Sequence, residues 1–221
     1  MQSENFYLLI YAIPALLVAI SLHEMMHSVM GYWLGDDTAK LHGRISFNPL
    51  RHIDPITTVA LPLVLVLAGL PPFAAAKPVP INVYRLKYQE FGMALVGLAG
   101  PITNLLLAII SVLLLRFIDP AALALLAESR LAIGGSYITG FLAYSILINI
   151  GLFIFNMIPF PPLDGSRVLY ALVPEPIQNL MMQIERLGFT AILLFMFIGL
   201  PLISPLIGSA QQMLISLLVG S

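Results

Sequence analysis

The chain has 221 residues, 59% hydrophobic and only 10% charged, with a mean hydropathy of +0.97 and a formal net charge of −1. A soluble domain carries about 25% charged residues, so this composition excludes an ordinary water-soluble globule and describes an integral membrane protein. No basic stripe points to nucleic acid, and without cysteine any metal ligand must be His, Asp or Glu.

Met1 to Asn5 lacks the basic residues of a cleaved signal peptide, so the apolar stretch that follows reads as a retained span. The first helix is expected from Phe6 to Leu34, ended by Gly35-Asp36-Asp37. At 1.5 Å per residue it exceeds the hydrocarbon thickness, so one end projects into the interface. Near that end stands His23-Glu24-Met25-Met26-His27. Histidines four apart on a helix share a face, where both imidazoles can reach one metal ion. Glu24 projects about 100° further round, close enough to take a proton from an attacking water. This is the HExxH pattern of metal-assisted hydrolysis. Short motifs recur by chance, and a histidine near a helix end is often only interfacial. Three ionisable residues within an apolar helix are costly, however, and that cost makes function the default reading.

Lys40 to Pro55 is polar and interrupted, with Asn48-Pro49 and Asp54-Pro55 as breakers. His42 and His52 lie here; they are candidate extra ligands without a motif, and read more simply as interfacial. Ile56 to Leu70 is apolar but short, contains Pro62 and closes at Pro71-Pro72. It reads as a re-entrant or tilted element, because basic residues flank it on both sides and a crossing would strand one set of them. The alternation Val79-Pro80-Ile81-Asn82-Val83-Tyr84 suggests extended structure.

Phe91 to Ile118 is a clear span, with small residues Gly97, Ala99 and Gly100 that let helices approach closely. Asn104 within it is either a helix-to-helix hydrogen bond or a donor to a developing oxyanion. Asp119 to Gly135 reads as a connection with a short amphipathic piece, and Tyr137 to Ile158 as the next span. That span ends in Asn156-Met157-Ile158-Pro159-Phe160-Pro161-Pro162-Leu163-Asp164-Gly165, whose prolines break the helix. Irregular backbone at membrane depth survives only where it is buried in protein or lines a wet cavity. Asp164 is by itself an ordinary helix cap. Beside a two-histidine site short of a ligand, it is favoured as the third. Val173 to Arg186 reads as a Pro-bearing, charged loop. Leu187 to Val219 reads as one kinked span with an interfacial tail, or as two short spans.

HExxH in the first span, Gly100-Pro101-x-x-Asn104, and Asn156-x-x-Pro159-x-Pro161-Pro162-Leu163-Asp164-Gly165 together resemble the site-2 protease family of intramembrane zinc metalloproteases. The motifs stand in the family's order, and the match covers roughly Phe6 to Leu172. The resemblance implies one Zn2+ per chain on His23, His27 and Asp164, with Glu24 activating the water; Asn104, as a donor to the oxyanion, is the second candidate catalytic residue. It implies a transmembrane protein as substrate and an active site toward the cytoplasmic side of a prokaryotic plasma membrane. The charge pattern agrees: residues 35–91 hold six Lys/Arg, whereas residues 117–136 hold only Arg130. The expected fold is an all-α polytopic membrane protein of four to six transmembrane helices, with a short re-entrant or strand-bearing insertion after the first span. It is expected to form one domain over residues 1–221, with core motifs in 6–172 and a helical segment in 187–219. Two other readings use similar residues. A membrane metal transporter or sensor would need further intramembrane carboxylates along its path. A protease clipping soluble or lipidated termini would draw a third ligand from Glu128, Glu175 or Glu185, none of which has a supporting motif.

Overall fold

The computed structural model describes residues 8–60, 64, 76–127 and 136–219. A π-helical turn, Leu8–Ala12, runs into α1 (Ile13–Trp33), and Pro14 at their junction has no N–H to give to the preceding turn. Gly35, at φ +107°, ends α1 in a conformation that a side chain would strain. A short α2 (Thr38–Leu41) and the turns Pro49–Arg51 and Pro55–Ala60 follow. Apart from Val64, the rest of the apolar segment expected to re-enter lies outside the described residues.

From Val79 to Asn82 the backbone carries no regular structure, and Val83–Arg85 forms a 3-10 turn. Among the described residues no strand ladder forms. Pro78 and Pro80 lack the N–H groups that a ladder there would need. This insertion is instead pinned to the end of α1. Asp36, fully buried, accepts from Thr38 N–H at 3.1 Å and from Asn82 N–H at 2.6 Å, while Lys87 N–H donates to Leu34 O at 2.8 Å.

The long α3 (Gln89–Ile118) carries Pro101 inside it and is the hub: α1 and α5 (Tyr137–Asn156) both pack along it. The pairs His27–Val96 and His23–Asn104 run α1 antiparallel to α3, and Asn104–Asn149 and Ser111–Ser145 run α5 antiparallel to α3. Asp119 caps the short α4 (Pro120–Ala127), which occupies part of the expected connection; residues 128–135 lie outside the described ones. The apolar core fills the end of the bundle away from HExxH. There Val112 and Leu115 of α3, Leu123 and Leu126 of α4, and Ile146 and Ile150 of α5 interlock.

After the proline loop come α6 (Gly165–Leu172) and α7 (Glu175–Arg186). The helical α7 corrects the loop expected over 173–186. Pro174 and Pro176 resemble breakers, yet they stand at the N-cap and in the first turn, where no helical donor is lost. Glu175 at its start and Arg186 at its end complement the helix dipole. Finally α8 (Phe189–Leu194), a π-helical turn Phe195–Gly199 and α9 (Leu200–Val219) form one continuous helical run. The last segment thus offers one candidate span, Thr190–Val219. Among the described residues four helices are long and apolar enough to cross a membrane: Ile10–Trp33, Gln89–Ile118, Tyr137–Asn156 and Thr190–Val219. The chain is an all-α polytopic membrane protein.

Candidate metal centre

His23 and His27 lie on the buried face of α1, one turn apart, with rings crossing edge to face at 4.6 Å between centroids. His23 is ten residues and His27 six residues before Trp33, which puts them about 15 and 9 Å below that end of the helix. Each ring is held by its Nδ1. His27 Nδ1 donates to Val96 O at 2.7 Å, and His23 Nδ1 meets Asn104 Oδ1 at 2.6 Å. A carbonyl oxygen only accepts, so the Val96 bond puts the proton of neutral His27 on Nδ1 and leaves a lone pair on Nε2.

Asp164 arrives from the far side, at the N-terminus of α6. Its side chain makes no capping bond to that helix. Oδ2 stands 3.1 Å from His23 Nε2 and 3.3 Å from His27 Nε2, and the two Nε2 atoms are 3.0 Å apart. Oδ2 is buried and finds no hydrogen-bond partner. Electron pairs converging this closely repel unless a cation sits among them. Donor atoms on a tetrahedral ion at about 2.0–2.1 Å stand about 3.3 Å apart, close to the three edges seen here. The residues therefore fit a metal ion. The cluster is the one group of three such side chains among the described residues.

Close backbone approach builds the rest. At Gly100 of α3 an added Cβ would lie 2.4 Å from His27 Nε2 and 2.6 Å from His23 Cε1. One turn earlier, a Cβ at Gly97 would stand 3.0 Å from Asp164 O. At Gly165 it would be 2.3 Å from Met157 O, so this glycine lets the proline loop fold back on itself. Arg167, one turn into α6, makes a two-pronged ion pair with Glu185 of α7, one limb at 2.9 Å, which braces the helix that presents Asp164.

Glu24 is half-buried on the adjoining face of α1. Asn104 is fully buried; its amide nitrogen donates to Asn149 Oδ1 at 2.8 Å, and its oxygen faces His23. His42 and His52 do not join the cluster. His42 is exposed, with Nδ1 donating to Thr38 O, whereas His52 is buried and donates through Nε2 to Ser46 O at 2.8 Å. Beside it Arg44 donates to Arg51 O and Pro78 O, making a buried polar core for the loops. The sequence reading passed over Asn149, although an amide in the middle of an apolar span was the same signal that singled out Asn104. The carbonyl of Val96 left no signal in the sequence.

The family model of peptidase family M50 matches residues 11–199. The chain is 34% identical over 212 residues to "Putative zinc metalloprotease YwhC" of Bacillus subtilis, covering 94% of this chain and 90% of that protein. It is 26% identical over 188 residues to "Putative zinc metalloprotease Rip2" of Mycolicibacterium smegmatis, covering 85% of this chain and 66% of that protein. The Mycobacterium tuberculosis protein of the same name is 28% identical over 162 residues, or 72% of this chain and 56% of that one. No solved structure matches the chain significantly. The match reaches from the start of α1 through the HExxH helix and the proline loop into the last span, and the chain belongs to peptidase family M50, the site-2 proteases.

Proposed function

We propose that this chain is a zinc-dependent intramembrane endopeptidase that hydrolyses a peptide bond within or beside a transmembrane segment of a membrane protein. The observation that carries the reading is the Asp164 carboxylate, drawn away from capping α6 and directed at the two Nε2 atoms about 9–15 Å inside a spanning helix. His23, His27 and Asp164 would hold the ion, and the names of the M50 relatives identify it as zinc. Two imidazoles and one carboxylate leave a coordination position open, the arrangement of catalytic rather than structural zinc sites. When bound there, zinc supplies Lewis acidity for the hydrolysis.

The chain's own residues do the rest. Glu24 takes the proton of the attacking water as its oxygen adds to the scissile carbonyl carbon, then returns it to the amine as the C–N bond breaks. The products are a carboxylate and an amine. Asn104 acts through His23, because its oxygen is committed to that ring and its nitrogen to Asn149. Residues 35–91, with six Lys/Arg, face the cytoplasm of a prokaryotic cell, so the site opens from that side. All of these parts belong to one membrane-embedded domain.

The test reconstitutes the purified protein in vesicles with a single-span substrate and maps the new termini by mass spectrometry. Cleavage inside or next to the span, abolished by Glu24→Gln while zinc content holds, is the expected result. Cleavage only in soluble segments, or full activity in Glu24→Gln, would overturn the reading.

A further inference from the structure

A buried polar series runs away from the metal centre into the bundle. Asn149 on α5 is 1% exposed. Its Nδ2 lies 2.8 Å from Ser145 O and 3.2 Å from Ser145 Oγ, and its Oδ1 lies 2.8 Å from Asn104 Nδ2. Asn104 Oδ1 in turn lies 2.6 Å from His23 Nδ1. Ser111 Oγ meets Ser145 Oγ at 3.0 Å and closes the inner end.

Orienting an amide is normally a matter of choice between two flips, but here the chemistry of the inner end removes the choice. The Ser145 carbonyl can only accept, so Asn149 must face it with nitrogen. Asn149 then faces Asn104 with oxygen, so Asn104 must answer with nitrogen. Asn104 thus turns its own oxygen to His23, and an oxygen facing a ring nitrogen at that distance requires N–H on Nδ1. The consequence is a lone pair on His23 Nε2, aimed at His27 and Asp164. His27 reaches the same tautomer in one step through Val96 O. His23 needs two intermediaries because the backbone of α3 does not reach its Nδ1.

We propose that Asn149 is a positioning residue of the metal centre: through Asn104 it forms a directed carboxamide relay that holds His23 with its proton on Nδ1 and its Nε2 free for the metal. This rests on the zinc peptidase reading above. Outer partners of ligating histidines contribute by fixing the tautomer and ring orientation, and their loss typically weakens metal binding 10–100-fold.

The experiment measures zinc affinity of the purified full chain by competition with a chelator, and the melting temperature of the zinc-free protein. Asn149→Leu, close in volume and unable to direct Asn104, should bind zinc about tenfold more weakly. Its zinc-free melting temperature should fall by only a few degrees, from leaving the Asn104 amide nitrogen without its partner. Adding Asn104→Asp should restore affinity, since a carboxylate presents an acceptor to His23 whichever way it turns. Ser111→Ala, which cuts the series beyond Asn149, should leave affinity unchanged. A second measurement needs no variant: nitrogen NMR of the four histidines in the zinc-free wild type at alkaline pH should find the His23 proton on Nδ1. Wild-type affinity in Asn149→Leu, or a His23 proton on Nε2, would overturn the proposal and leave the peptidase reading standing. A loss that Asn104→Asp does not repair would reduce Asn149 to packing and overturn it as well. Absence of zinc from the wild type would remove both.

Discussion

Replacing Gly100 with alanine adds a single methyl group at the most crowded point of the metal centre. The new Cβ would lie 2.4 Å from His27 Nε2 and 2.6 Å from Cε1 of both histidines, where ordinary contact begins at 3.4 Å. The atoms in the way belong to side chains, but neither ring is free to swing, because Val96 O and Asn104 Oδ1 hold their Nδ1 atoms. Relief therefore requires α3 to retreat from α1 by roughly 1 Å, which draws Val96 and Asn104 away from the same rings. Either response opens a donor triangle whose edges are 3.0–3.3 Å. Overpacking of this kind costs about 1–3 kcal/mol. For a chain of this size that lowers the melting temperature of the zinc-free protein by about 2–4 °C per kcal/mol. Misplacing reacting groups by about 1 Å costs on the order of 100-fold in activity. The assay pairs zinc content per chain with cleavage rate, beside Gly208→Ala, where an added Cβ meets nothing within 4 Å. One zinc per chain and wild-type turnover in Gly100→Ala would show that α1 and α3 do not approach as described, and the site would have to be rebuilt.

Asp164→Ala should lose most bound zinc while the bundle still folds, because its carboxylate caps nothing; equal zinc in both proteins would move the third ligand elsewhere. Asp36→Asn should loosen the insertion, since one amide oxygen cannot serve both Thr38 and Asn82, at a cost of about 1–3 kcal/mol; faster proteolysis within residues 76–88 is the readout. Burial opposes the Asp36 charge, but hydrogen bonds from Thr38 and Asn82, with Arg85 nearby, win and lower its pKa. A lowered carboxylate pKa stabilises the fold above the unfolded value near 4 and loses that contribution as pH falls through the folded one. The acid sensitivity of the insertion below about pH 4 should therefore vanish in Asp36→Asn. Glu185→Ala, which leaves Arg167 of α6 unpaired, should lower turnover by several-fold without removing zinc, because the pair braces α6 and supplies no ligand.

Much of this molecule was legible in one dimension. Apolar runs longer than the hydrocarbon thickness announce spans, because a backbone in lipid must satisfy its own hydrogen bonds. Histidines four residues apart must share a helix face, since 3.6 residues make a turn. The Asn and Asp at membrane depth were conspicuous for what they cost. Where local reading erred, a neighbour outside the window decided. Pro174 and Pro176 start α7 instead of breaking it, and the alternation at Val79–Tyr84 has no ladder because Pro78 and Pro80 leave donors missing.

Tertiary structure alone decided which polar groups meet. Whether Asp164 caps α6 or faces His23 depends on how closely α3 lets the proline loop approach, and Gly97, Gly100 and Gly165 set that distance. His23 and Asn104 are 81 residues apart, His27 and Val96 are 69, and Asn104 and Asn149 are 45. No periodicity reaches across such separations. Helical geometry determines the face each side chain occupies, and so the sequence carried the candidate ligands; the packing of α1 and α5 against α3 determines the partner opposite, and so only the fold revealed which groups their rings meet.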